Sequence, residues 1–287
     1  MKNISSQHFT GLEGKIMKLF RMWPIVIFAV LVVMLLTGCE VTGLQMLRSN
    51  FEEYAETDEA EDDQVYPEYD PAARHAVVLD PGHGGRDCGA YYDGLREKDL
   101  TLKVAQYARD YLISHYENID VFLTREDDCA MDGDKKTDLE MRCDLARQVG
   151  ADCLVSIHFN ASDSHVYNGA EVWASGRSNV HDQTFLLGEC ILQELASLGI
   201  RERSVSSKDS TDTFDENGLP YDYYAINRHS AARDVAGIIV EQCFMDSEED
   251  SIFVSDDDGL KQLGEANARG IAAYLGLVPK EDDTPEV

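Results

Sequence analysis

Five short apolar runs, separated by stretches of helical periodicity, limit what this chain can fold into. His75-Ala-Val-Val-Leu-Asp80 ends at Pro81-Gly82, so it reads as a buried strand running into a turn. Ile119–Thr124, Cys153–His158, Gly169–Ala174 and Ala236–Glu241 are the other four. Between them, Leu100, Val104, Ala108 and Leu112 recur at helical spacing and predict a helix over Asp99–Ser114. Further helices are expected at Thr137–Val149, His181–Leu198 and Leu260–Leu275, the first two stopped by Gly150 and Gly199. Strands that are apolar along their length are buried on both faces. The alternation therefore predicts an α/β fold, a single domain with a mostly parallel or mixed sheet between two helical layers. Arg201–Tyr224 breaks the pattern. It is polar, contains Gly218-Leu-Pro220, and is expected to be a long loop that lines a groove or moves at the surface.

The amino terminus carries a different signal. Lys15, Lys18 and Arg21 precede an unbroken run of 14 residues, Trp23–Leu36, and then Leu36-Thr-Gly-Cys39. As a helix the run reaches ~21 Å, short of the ~30 Å hydrocarbon core, which favours a secretory signal over a membrane span. Leu36-Thr-Gly-Cys39 resembles the lipobox of bacterial lipoproteins, which implies a signal peptide over residues 1–38 and lipid attachment at Cys39. An uncleaved signal anchor is the other reading. Both put the remaining chain outside the cytoplasmic membrane, and the first places it lipid-anchored on the outer face. Met17 is a second candidate start. Residues 39–74 are expected to be a flexible tether, because eight acidic side chains crowd into positions 52–63 and repel one another. Residues 278–287 form an acidic tail. The net charge of −29 argues against a nucleic-acid partner.

Polar residues collect where the apolar strands end. The first strand runs into Asp80-Pro-Gly-His83-Gly-Gly85, the third ends in Ser156-Ile-His158-Phe-Asn160, and the last ends in Val240-Glu241. Ligands gather at the carboxyl ends of strands in open α/β sheets, so these residues are expected to converge there. Two histidines and a carboxylate on a rigid rim suit a metal with an open position for water, although no compact metal motif is present.

Read in order, the motifs form a known series. Val78-Leu-Asp-Pro-Gly-His-Gly-Gly85, Leu95-Arg-Glu-Lys-Asp-Leu100, Leu123-Thr-Arg125 and Met141-Arg-Cys-Asp-Leu-Ala146 come first. Ala151-Asp-Cys-Leu-Val-Ser-Ile-His-Phe-Asn-Ala161 and Val240-Glu-Gln-Cys-Phe244 complete it. The series resembles the zinc-dependent N-acetylmuramoyl-L-alanine amidases of the type-3 amidase family, over about residues 75–275. The resemblance implies a six-stranded phosphorylase/hydrolase-like sandwich, a catalytic domain over residues 75–277, and hydrolysis of an amide bond in peptidoglycan. It implies one zinc ion on His83, Glu97 and His158, with Glu241 as the catalytic acid/base. Asn160 is a candidate substrate-binding residue.

Departures from the family bear on substrate detail. Ala225–Asp234 replaces the run that usually reaches the last strand through a proline, and the family's companion wall-binding repeats are missing. A protein activator is an open expectation. Cys88, five residues past His83, is a minor rival ligand. Cys153 and Cys190 are expected to be buried thiols, and six cysteines beyond Cys39 leave any disulfide pairing open. His75, His115, His165 and His181 are expected to face solvent, and His229 is a residue to watch near the site. Two rivals stand beside the amidase reading. One is a serine hydrolase built on Ser156 and His158, which lacks a Gly-x-Ser-x-Gly elbow. The other is a non-catalytic or activator-dependent peptidoglycan-binding lipoprotein of the same fold.

Overall fold

The computed structural model describes residues 75–280. Cys39, the signal and tether segments, and the end of the acidic tail lie outside them. In chain order the strands are β1 (His75–Pro81), β2 (Tyr91–Tyr92), β3 (Leu95–Arg96), β4 (Ile119–Leu123) and β5 (Cys153–Asn160). They continue as β6 (Ala170–Trp173), β7 (Glu202–Ser206), β8 (Asp209–Phe214), β9 (Pro220–Asp222) and β10 (Ala236–Phe244). The helices are α1 (Glu97–His115), α2 (Lys135–Gln148), α3 (His181–Ser197), α4 (Ala225–Ala231) and α5 (Asp257–Leu275).

Six strands form the central sheet in the order β4-β1-β5-β10-β6-β7. All neighbours are parallel except β10 and β6, which run antiparallel. Side chains alternate across a strand, and the sheet uses that alternation to make two cores. Val77, Leu79, Val155, Ile157, Ile238 and Val240 pack under α1, α3 and α5 with Val104, Leu112, Ile191, Leu263 and Ile271. Ala76, Val78, Leu154 and Ile239 pack on the other face with Cys143 and Leu145 of α2 and Ile226 of α4. Burying one such Leu or Ile contributes about 1.5–3 kcal/mol, so both layers hold the sheet firmly. The second row turns polar towards the strand ends. Beyond Val78 comes Asp80, beyond Leu154 come Ser156, His158 and Asn160, and beyond Ile239 comes Glu241.

Arg201–Tyr224 is not a loop. Most of it folds as edge strand β7 and the β8–β9 hairpin. An edge strand is half-solvated and β7 is mostly exposed, so it needs no apolar run and leaves none to read. Ala225–Asp234 supplies α4, which buries Ile226, Asn227, Ser230 and Ala231.

Candidate active site

The turn after β1 places the first functional side chain. Asp80 is 1% exposed and accepts from Thr124 Oγ1 at 2.6 Å, Ser156 Oγ at 2.5 Å and Arg142 Nη1 at 2.7 Å. Burial alone would raise its pKa, but the Arg142 charge and these bonds outweigh it and hold the carboxyl below its ordinary value. Two buried arginines then fix the carbonyls of the turn. Arg125 donates to Pro81 O, Gly82 O and Lys98 O, at 3.0, 3.0 and 2.8 Å. Arg142 reaches Pro81 O at 3.0 Å and His83 O at 2.8 Å. His83 itself sits in the left-handed region at φ 64, a conformation that costs energy in a non-glycine residue. The arginine clamp offsets that cost and ties the turn to the start of α1.

Glu97 is the first residue of α1, where a carboxylate is favoured by the helix dipole. It is 4% exposed and stands between the two imidazoles. Its Oε2 lies 3.0 Å from His83 Nε2, and its Oε1 lies 3.0 Å from His158 Nδ1. The amides of Ala90 and Phe159 donate to it at 2.8 and 3.1 Å. Burial works to raise the Glu97 pKa, yet the bonds from His158 and His83 win and push it well below the carboxylate range. His158 shifts upward, because Glu97 and nearby Glu241 outweigh its own burial. Two glycines make room for this packing: a Cβ on Gly82 would strike the His158 ring, and one on Gly89 would strike Glu97.

The ligand atoms of His83, Glu97 and His158 lie within 4.8 Å of one another. Two imidazoles and one carboxylate at that separation can close around a single metal ion and leave a position open. Asp87 Oδ1 stands 3.1 Å from the far nitrogen of His83, the carboxylate–histidine support that orients metal-binding imidazoles. Beside the cluster, Glu241 of β10 is the register partner of His158. The residue is partly buried, and its Oε2 atom is sealed from solvent with no hydrogen-bond partner. Burial, together with the charges of Glu97 and Glu171 and against that of His158, pushes its pKa up to about 7. A cation among the ligands acts in the opposite sense.

Several expected residues fall elsewhere. Cys88 is exposed, donates to Gly89 O and is no part of the cluster. Ser156 is fully buried and its hydroxyl is spent on Asp80, so it is no nucleophile. His229 faces Glu140 of α2 at 3.9 Å. Asn160, by contrast, stays on the site's own row of β5, two residues past His158, and its amide donates to Glu171 Oε1 of β6 at 2.9 Å. Cys153 is buried as expected, whereas Cys190 is only partly buried on α3. His165 is half-exposed but not free, holding Asp246 at 2.7 Å. Sequence reasoning passed over Glu171, a charge inside an expected strand and so a visible signal. It also passed over Asp87 and Arg203, and it met the two buried arginines only inside the motif series, with no task assigned to them.

A mostly parallel sheet with a cluster able to hold a metal and a buried, unpartnered carboxyl oxygen at its strand ends has the layout of a metal-assisted hydrolase. The sequence profile of the N-acetylmuramoyl-L-alanine amidase family matches residues 77–273, most of the chain. The chain therefore belongs to this family, as its motif series led us to expect, and is an amidase. The endolysin of Bacillus phage SPP1 is 29% identical over 220 residues, covering 73% of this chain and 72% of that protein. The N-acetylmuramoyl-L-alanine amidase CwlM of Bacillus licheniformis is 39% identical over 98 residues. That match covers 32% of this chain and 36% of that protein, about a third of its length. Among solved structures, the N-acetylmuramoyl-L-alanine amidase AmiC2 of Nostoc punctiforme superposes with a TM-score of 0.55 at 29% identity. It covers 70% of this chain and 97% of that one.

Proposed function

We propose that the protein hydrolyses the amide bond between the N-acetylmuramoyl group and L-alanine in peptidoglycan, with one zinc ion held by His83, Glu97 and His158. The observation that carries this reading is the pairing of that cluster with the unpartnered carboxyl oxygen of Glu241 across the β5–β10 register. Zinc is the ion that two imidazoles and one carboxylate suit best. When bound it would supply a Lewis acid and bring the pKa of a water towards ~7.

The chain's own residues do the rest. Arg125 and Arg142 hold the turn that presents His83, and Asp87 fixes which imidazole nitrogen faces the cluster. The carboxylate of Glu241 takes a proton from the attacking water. It returns that proton to the alanine nitrogen as the tetrahedral intermediate collapses and the C–N bond breaks. A buried carboxyl with an oxygen free of other partners can serve both halves of that exchange, as base towards the water and as acid towards the departing nitrogen.

Full-length protein digested with purified muropeptides should release stem peptide with a free alanine amino terminus. A strong chelator should reduce that release to background, and added zinc should restore it. Release that survives complete metal removal would overturn the zinc reading. Intact muropeptides with one zinc bound would favour the non-catalytic or activator-dependent alternative.

We further propose that the chain is exported and anchored at the outer face of the membrane through lipid on Cys39, on the strength of Leu36-Thr-Gly-Cys39 after a short apolar run. Cells expressing the protein should incorporate labelled palmitate into it, and Cys39→Ala should not be labelled. Label absent from both proteins would support the uncleaved anchor instead.

A further inference from the structure

Beyond Glu241, polar groups continue across the sheet in the direction away from the metal-type cluster. Strand order places β10 between β5 and β6, with β7 outermost. Because β6 runs antiparallel to β10, the start of β6 lies beside the end of β10, and Glu171 is the register partner of Glu241. The parallel neighbour β7 pairs Ser204 with Glu171, which puts Arg203 at the same end. Arg203 reaches back towards the site. Its Nε donates to Glu171 Oε2 at 2.8 Å, and its Nη1 donates to Asn168 O at 3.3 Å. The guanidinium carbon lies 5.1 Å from the Phe244 ring centre and 5.8 Å from that of Tyr167. The side chain remains 27% exposed, and neither hydrogen bond uses Nη2. A planar cation held by a carboxylate and two rings is already oriented, so binding an anion costs it little conformational freedom.

We propose that Arg203 is the binding site for a carboxylate carried by the peptide that leaves after the cut. The inference rests on the reading in which Glu241 protonates the departing nitrogen. That nitrogen then lies beside Glu241, with the acyl side towards His83 and His158 and the leaving peptide over β6 and β7. An extended chain advances at most ~3.3–3.6 Å per residue, and adjacent strands are ~4.8 Å apart. A carboxylate one or two residues beyond the scissile bond therefore comes within reach of a side chain that folds back from β7 onto Glu171. Charge makes the same demand. A chain of net charge −29, with Glu171 and Glu241 side by side on β6 and β10, repels an anionic peptide unless a cation is fixed where its carboxylate lands. Arg203 supplies that cation and has a nitrogen left to give.

The test titrates full-length protein with two dipeptides that begin with L-alanine and carry γ-linked D-glutamate, one with a free α-carboxylate and one with the α-amide. Calorimetry or NMR reads affinity without turnover. Wild type should bind the carboxylate form about tenfold more tightly or better, the value of a charge-assisted hydrogen bond, and Arg203→Gln should bind the two alike. Wild type without that preference, including failure to bind either peptide, would overturn the proposal. So would an Arg203→Gln protein that weakens both peptides equally, the sign of a residue that only neutralises Glu171. Loss of selectivity here leaves the amidase reading intact. Selective binding by a protein that cleaves no muropeptide keeps the site and overturns that reading instead.

Discussion

Glu241→Gln should lower turnover of muropeptides by about 10²–10⁴-fold while the protein still takes up one metal ion. Gln has nearly the shape of Glu and keeps one oxygen, but it cannot carry a proton from water to the leaving nitrogen. The three side chains proposed as ligands are untouched by the exchange, and Glu97 keeps its bonds to both imidazoles and to the Ala90 and Phe159 amides. The measurements are kcat on purified muropeptides and metal content by elemental analysis of the same preparation. A variant that retains more than a tenth of wild-type turnover would remove Glu241 from the mechanism. One that loses its metal would make it a structural neighbour of the ligands.

The second large effect is on stability. Arg142 is 2% exposed and bridges Asp80, at 2.7 Å, to Asp138, at 2.8 Å. Breaking a buried pair by removing one partner costs about 3–5 kcal/mol, because the other charge stays buried without compensation. Arg142→Met leaves Asp80 in that position and also strips donors from the Pro81 and His83 carbonyls. Urea unfolding should show a loss of about 3–5 kcal/mol with an unchanged slope. A loss under about 1 kcal/mol would mean that the Asp80 network closes around the gap with Thr124 and Ser156 alone. Arg142→Lys retains the charge but not the fork, so it should fall between the two proteins.

The sequence made the centre of this fold legible and left its margin obscure, for a physical reason. Strands β1, β5 and β10 are buried on both faces and read as continuous apolar runs, so their ends, with His83, His158 and Glu241, could be found without coordinates. Glu97 was found through the motif before α1, although the periodicity alone placed that helix two residues late. Strand β7 has one solvated face and a polar composition, and the same segment read as a loop. With it went Arg203, whose meaning depends on a partner on another strand. The arginines behind the His83 turn were visible only as family motifs. Many of their bonds go to backbone carbonyls, which carry no side-chain signal at all, and Asp80 stands 62 residues from Arg142.

One feature of the sheet also limits how the protein can change. Residues that build one core and residues that form the site occupy a single alternating row, so β5 has what amounts to a reading frame. Inserting or deleting one residue at the start of Cys153–Asn160, ahead of Ser156, would turn Ser156, His158 and Asn160 into the layer under α1, α3 and α5. Val155, Ile157 and Phe159 would then face the site. Chemistry and core would be lost by the same event. Strand β7 and the β8–β9 hairpin, mostly exposed, are under a weaker constraint. Variation in what the protein recognises is free to accumulate there while the parallel centre keeps its frame.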